Sequence, residues 1–462
     1  MGPAPNKNCT KVQFFDGSFL LFKSNLCKVS KSLILDGHMS KIEIQNRSEL
    51  TKYPNREDAL SIIETGLNAI DTERVINDAI RVEEKSLHIK DLNFDLRRYK
   101  RIRVIGFGKA SCEAAISLEK VLGSLINSGA VIDIKSKQCE IIESLVGTHP
   151  RSTLQNVTAT KQLLEIVKDI NEDDLVLVIV SGGGSALLCA TDEECNQGEK
   201  IYDDFIQVGA NIDELNTVRK HLSSLKGGGL AKMLYPATVV GLIFCDIPGG
   251  DYEKTASGPT CKDVSTMGDA AAILAKYNFS GYELNETPKD DKYFERVHNI
   301  LMVSNTIAVD AMAKKAKELG YEAKVLSVNI YTDSEKTIDD FKKLSGPKTV
   351  VIGAGEVSLV VKKGSGGGSG GRCAYMGMVA LSRLENDETL VSVASDGLDN
   401  SPSAGVIVDK NTIARVSELG INTEEYLAHY DAYNFFEKVG ETSIVTGQTG
   451  ANVSDLMLWI KQ

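Results

Sequence analysis

The sequence predicts an α/β protein with a doubly wound sheet in each of two halves, and three observations carry that expectation. First, RIRVIGFGKASCEAA (residues 101–115) reads as a buried strand, a glycine turn and a helix, the repeating unit of such sheets. Second, DDLVLVIVSGGGSALL (173–188) repeats the unit, with an unbroken apolar run from Leu175 to Val180 of the kind found in strands covered on both faces. Third, the pattern returns at TVVGLIFCDIPGGD (238–251), PKTVVIGAGEVSLVVK (347–362) and ETLVSVASDGLDN (388–400), so strand-end loops rich in small and acidic residues recur in both halves.

The elements follow in chain order. Residues 1–38 include FFDGSFLLFKSNLCKVSKSLIL, which is broken by Asp16, Lys23 and Lys28 and lacks a small-residue cleavage site, making it a poor signal peptide. Because GHMSKIEI places Met39 before an ordinary protein start, residues 1–38 are expected to be an upstream extension or vector-derived residues. From Arg56 to about Val82 the apolar spacing predicts two short helices, with Asp71 as the cap between them. The charged stretch TPKDDKYFERVHN suggests a boundary between the halves near residues 286–298. NILMVS, a helix from about Thr306 to Leu319, and AKVLSV then restart the α/β alternation. KKGSGGGSGGRCAYM has the composition of a linker, yet Arg372 and a helical stretch follow at once, which favours a ligand loop.

Composition narrows the function. A chain of 462 residues with 42% hydrophobic and 25% charged residues has room for two packed domains. A net charge of −11 argues against a nucleic-acid surface. No apolar run approaches the roughly 18 residues of a membrane span. The nine cysteines are scattered and the six histidines complete no zinc pattern, as expected of reduced thiols in a cytoplasmic protein.

Ligands of open α/β sheets bind beyond the carboxyl ends of the strands, so the loops there are the candidate site. Three glycines flanked by serines in Ser181-Gly182-Gly183-Gly184-Ser185 let backbone amides approach an anion, which makes this loop a candidate phosphate cradle. GFGKAS fails as a dinucleotide fingerprint, since Ser111 occupies the third glycine position, and no Walker A motif is present. It carries Lys109 at a strand end instead. In IDELNTVRKHLSSLKGGGLAK, Arg219 and Lys226 are spaced two turns apart on one helix face beside a glycine turn, suited to a carboxylate or phosphate. Asp246 emerges directly from the strand LIFC, where an acid can take a hydroxyl proton or hold a metal. Asp396 and Asp399 stand in the matching place of the second half as oxygen ligands for a hard divalent cation.

Taken together and in order, GFGKAS, GTHP, VLVIVSGGGSAL, ELNTVRKHLSSLKGG, CDIPGG with ASGP, the GGRC loop, ASDGLDN and VTGQTGANVSDL resemble the class II glycerate kinases, the glycerate 2-kinases with a C-terminal MOFRL domain. The resemblance implies two Rossmann-like doubly wound domains facing a central cleft. It assigns 39–290 to the first domain, 291–440 to the MOFRL-type domain, and 441–462 to a tail packing back on the first. The implied reaction is phosphoryl transfer from ATP to glycerate, giving 2-phosphoglycerate and ADP, with Mg2+ or another divalent cation. The family's functional lysine, aspartate and arginine fall on Lys109, Asp246 and Arg372. The expected partners are glycerate and ATP alone, with no nucleic acid or membrane, in a monomer or homodimer.

Departures from the family lie mainly in the second half. GAGEVS stands where the family reads GGET, Cys373-Ala374-Tyr375 follow the arginine in place of Asn-Gln-Glu, and ASDGLDNSPSAGV is one residue short, with Ser403 for an acid. Two other readings are kept: an oxidoreductase of a small hydroxy acid, from the repeated strand, glycine turn and helix units, and a non-catalytic metabolite-binding relative, from the altered second-half loops.

Overall fold

The computed structural model describes residues 42–209, 211–362 and 367–462, all within the compact unit Met39–Gln462. The expectation for residues 1–38 lies outside the described residues. Helices α1 (Arg47–Leu50), α2 (Glu57–Asn68) and α3 (Thr72–Ala79) come first among the described residues. Asp71 caps α3 as expected, its carboxylate accepting from the Arg74 amide at 2.8 Å. The apolar pattern through Ile80 and Val82 is not helical. It begins a small antiparallel sheet of β1 (Ile80–Glu83), β2 (Ser86–Ile89) and β3 (Leu92–Asp95).

The first large sheet contains β4 (Arg101–Phe107), β5 (Ile126–Asp133), β6 (Ile142–Val146), β7 (Asp174–Ser181), β8 (Thr238–Phe244) and β9 (Val297–Val303). All its pairings are parallel, in the order β6-β5-β4-β7-β8-β9. Numbered from β4, that is 3-2-1-4-5-6, the doubly wound order whose direction reverses between β4 and β7. Every residue of β7 and β8 is buried. Along and around this sheet run α4 (Ser111–Leu122), α5 (Leu154–Glu165), α6 (Gly184–Leu187), α7 (Asp192–Val208), α8 (Ile212–Leu222), α9 (Gly229–Leu234) and α10 (Met267–Lys276). The strand in NILMVS, read from sequence as opening the second half, is the edge of this first sheet: β9 pairs with β8 from Val239↔Val297 to Phe244↔Val303.

After α11 (Asn305–Glu318) the second sheet forms from β10 (Glu322–Ile330), β11 (Thr349–Gly355), β12 (Glu388–Ala394), β13 (Gly405–Asp409), β14 (Ser443–Ile444) and β15 (Asp455–Lys461). Its helices are α12 (Ser334–Leu344), α13 (Arg372–Ala380), α14 (Lys410–Glu418), α15 (Thr423–His429) and α16 (Ala432–Val439). The order is β10-β11-β15-β12-β13-β14; β10 and β11 are parallel and the other pairings antiparallel, so this sheet is mixed.

The C-terminal residues correct the expectation of a tail. β15 lies in the middle of the second sheet, pairing with β11 and β12 along its whole length. Its alternation explains why: Leu456, Leu458 and Ile460 enter one core and Met457 and Trp459 the other, so both faces must be covered. The segment before β15 reaches the first half, where Ser454 donates its hydroxyl to Asp246 O at 3.4 Å.

The N-terminal residues also cross between the halves. The Gln45 amide donates to Val445 O at 2.8 Å, and Asn46 Nδ2 to Ser443 O at 2.8 Å. Arg56, 1% exposed, donates through Nε and Nη2 to the two carboxylate oxygens of Asp409 at 2.9 and 2.8 Å. Ile62, Ile63 and Leu67 join a single core with Val350, Ile352, Leu456 and Leu458. Burial of the second sheet's apolar face thus recruits helix α2 from far back in the sequence.

Candidate active site

The β4 and β7 loops meet where the strand order reverses. The Lys109 amide donates to Gly182 O at 2.9 Å, and the Ala110 amide to Ser181 Oγ at 3.1 Å. Gly108 has φ of +122°, and a Cβ there would sit 2.1 Å from Ser181 Oγ, so only glycine fits. Ser111, at the third position of the failed fingerprint, places its buried hydroxyl 2.8 Å from the carbonyls of Gly108 and Ile132. That hydroxyl ties the turn to β5.

Asp246 follows β8 and faces Gly182 so closely that a Cβ on the glycine would lie 2.1 Å from Asp246 Oδ2. Burial raises the Asp246 carboxyl above its ordinary range, with the Lys109 charge opposing and the Glu356 charge adding to the rise. Neither the Lys109 ammonium nor the Asp246 carboxylate has a side-chain ion-pair partner among the described residues. Both line a cleft of about 380 Å³ with Ser181, Gly182, Asp396, Gln448 and Asn452. The cleft therefore draws on both halves.

The far side of the glycine loop is cationic. A Cβ on Gly183 would lie 3.0 Å from His149 Cδ2 and 3.3 Å from Lys109 Cε, so these side chains flank the turn. Burial, together with the charges of Lys109 and Arg219, pushes the His149 imidazole down to about 4. It is neutral near pH 7 and can offer a hydrogen bond without adding repulsion. Arg219 of α8 lies 5.4 Å from the Tyr202 ring, and burial lowers its guanidinium from the ordinary value while leaving it charged. At the start of α6 the amides of Ala186 and Leu187 donate to Gly183 O at 3.1 and 3.3 Å, so the Gly184 and Ser185 amides stand ahead of the helical bonding. Ser185 is engaged elsewhere: its hydroxyl lies 2.9 Å from Ser257 Oγ, which donates onward to Asn216 Oδ1 at 3.4 Å. Ala256 and Ser257 have φ of +51° and +62°, an uncommon left-handed pair that brings the ASGP loop against Gly184.

The other sequence candidates have different settings. Lys226, 5% exposed, donates to Leu188 O at 2.8 Å and to Glu194 Oε1 at 2.7 Å. This corrects its reading as a substrate ligand: a buried ammonium needs such partners, and they take up its charge. Asp396 lines the cleft, its Oδ1 accepting from the Leu398 amide at 3.1 Å. Asp399 accepts from the amides of Cys373 at 3.2 Å and Ala374 at 2.8 Å, so both oxygens satisfy the start of α13. The paired-ligand reading of Asp396 and Asp399 is corrected accordingly, and among the described residues no group of three or more potential ligands is assembled for a metal. Arg372 lies outside the cleft lining, held by Asp455 and Glu356. His149, Asn216 and Ser257 were not singled out as site residues. Each lies within a motif that carried the family resemblance, but only the fold brings them to the glycine loop.

Comparison with known proteins bears on the family of the chain. The family model described as "Domain of unknown function (DUF4147)" matches residues 58–287, and the MOFRL family model matches 349–455. The chain is 31% identical to a glycerate 2-kinase of Pyrococcus horikoshii over 436 residues, covering 88% of this chain and 97% of the relative. It is 32% identical to a D-glycerate 2-kinase of Thermotoga maritima over 426 residues, covering 87% and 97%. A crystal structure of glycerate kinase from Thermotoga maritima superposes with a TM-score of 0.77 at 29% identity, covering 88% of this chain and 99% of that one. On these matches and the motifs at the switch point, the chain belongs to the class II glycerate kinases, the glycerate 2-kinase family with a C-terminal MOFRL domain.

Proposed function

We propose that this protein transfers the γ-phosphoryl group of ATP to the 2-hydroxyl of glycerate, giving 2-phosphoglycerate and ADP. The observation that carries the reading is the meeting of Lys109, the Ser181–Ser185 loop and Asp246 at the reversal of strand order, where doubly wound sheets hold their ligands. Phosphoryl transfer asks a protein mainly for positioning and charge stabilisation. Asp246, raised by burial and lacking a side-chain ion-pair partner, takes the hydroxyl proton. Lys109 holds phosphoryl oxygens. Arg219, with neutral His149 beside it, receives the glycerate carboxylate, and the amides of Gly183 and Gly184 cradle phosphate. Arg372 stabilises charge from the second half.

Mg2+ usually takes one or two carboxylates and completes its shell with phosphate oxygens and water. A cleft with Asp396 on its wall and, among the described residues, no cluster of three potential ligands suits a metal that arrives with the nucleotide, which Asp396 would hold. Bound there, it would neutralise phosphate charge. A coupled assay with ATP, Mg2+ and D-glycerate tests the reading; ADP release dependent on glycerate supports it, and its absence refutes it.

A further inference from the structure

Arg372 is the first residue of α13, and its guanidinium is shared unequally between two carboxylates. Nε lies 3.0 Å from Asp455 Oδ2 and Nη2 3.3 Å from Asp455 Oδ1, a two-pronged contact. Nη1 lies 3.2 Å from Glu356 Oε2. Asp455 is 3% exposed, Glu356 46% and Arg372 37%. One partner is fixed in the core and the other stands at the solvent edge.

The sheet accounts for this arrangement. Gly355, at the end of β11, pairs with Asp455 at the start of β15, so Glu356 emerges beside Asp455. Ser454 donates its hydroxyl to the backbone carbonyl of Asp246 at 3.4 Å, and the Glu356 charge is felt at the Asp246 carboxyl. Residues 454 and 455 thus touch the proposed base with one side chain and the arginine with the next.

We propose that Asp455 is a positioning residue that fixes the Arg372 guanidinium, and that Glu356 is the partner Arg372 exchanges for an anionic oxygen of a bound substrate. The inference rests on the proposed role of Arg372 in transfer. Two bonds to a buried carboxylate fix the plane of the guanidinium, while the Nη1 edge stays with a partner that solvent can receive. With two carboxylates on one guanidinium, an incoming anion has a bond to take over without baring a buried charge.

The test measures kcat and both KM values for Asp455→Asn, Glu356→Gln, Arg372→Ala and the Asp455→Asn/Arg372→Ala pair, with urea unfolding as the folding control. Loss of orientation predicts that Asp455→Asn lowers kcat by about 10²-fold, yet costs nothing further once Arg372 is alanine. Glu356→Gln lowers the KM of the substrate whose oxygen replaces it, ATP or glycerate, by several-fold, with a kcat loss far smaller than that of Asp455→Asn. Equal losses from Asp455→Asn with and without Arg372 overturn the positioning role. A Glu356→Gln variant with kcat as low as that of Asp455→Asn, or with neither KM lowered, overturns the exchange. If Arg372→Ala alone keeps wild-type kcat, the role of Arg372 itself fails, and the inference with it. Should Asp455→Asn not fold, Asp455→Glu retains the charge while displacing the guanidinium, and must show the same dependence on Arg372.

Discussion

The Lys109 amide donates to the carbonyl of Gly182 at 2.9 Å, which locks the first two strand-end loops together and leaves the lysine side chain and the glycine loop facing one cleft. The same glycine is in contact with Asp246. Gly182→Ala places a methyl 2.1 Å from Asp246 Oδ2, so the carboxylate must move. The expected outcome is a kcat reduced by about 10²-fold, with an unfolding transition close to that of the wild type, measured by steady-state kinetics and urea titration.

Asp246→Asn removes the proton acceptor and keeps the shape of the loop. Turnover should fall by about 10²- to 10⁴-fold, while calorimetric titration still detects ATP. Because burial raises the carboxyl, the acid limb of the wild-type kcat/KM profile should lie above the ordinary carboxylate value of 3.8. Activity is present above that limb and is lost as falling pH protonates the base.

Arg219 and Lys226 share a helix-to-turn segment in the sequence but should respond in opposite ways. Arg219→Ala should raise the KM for glycerate by about 10-fold or more with little change in stability. Lys226→Ala leaves Glu194 buried without its cation, and should cost about 3–5 kcal/mol of stability, read as a lowered urea midpoint.

The pattern of buried strands made the doubly wound first half legible, and Lys109, the serine-glycine loop and Asp246 were legible because each follows such a strand directly. Long-range pairing was not. Nothing local in DLMLWIK distinguishes a tail from a central strand, since its apolar run suits either, and only the two sheet edges flanking it decide. Lys226 looked like a ligand because spacing along the chain is silent about Glu194, which arrives from another helix. Asp399 looked like a metal ligand for the same reason, its partners being amides 25 and 26 residues away.

The buried Arg56–Asp409 pair joins the N-terminal segment to the second sheet, and it should leave a mark on acid stability. The Arg56 guanidinium and neighbouring donors hold Asp409 at about 2, against burial and below the ordinary 3.8. Its contribution is present above the unfolded value and is lost as pH falls from about 4 through 2. The stability gap between wild type and Asp409→Asn should therefore narrow by about 2 kcal/mol between about pH 5 and about pH 2, measured by urea unfolding at each pH.

The most direct test of the account is the product itself. Incubation of the wild-type protein and Asp246→Asn with ATP, Mg2+ and D-glycerate, followed by phosphorus NMR, should give 2-phosphoglycerate and ADP with the wild type and at most a trace of either with the variant over the same time. Phosphate on the 3-hydroxyl, no phosphorylated glycerate from the wild type, or undiminished product from Asp246→Asn would contradict it.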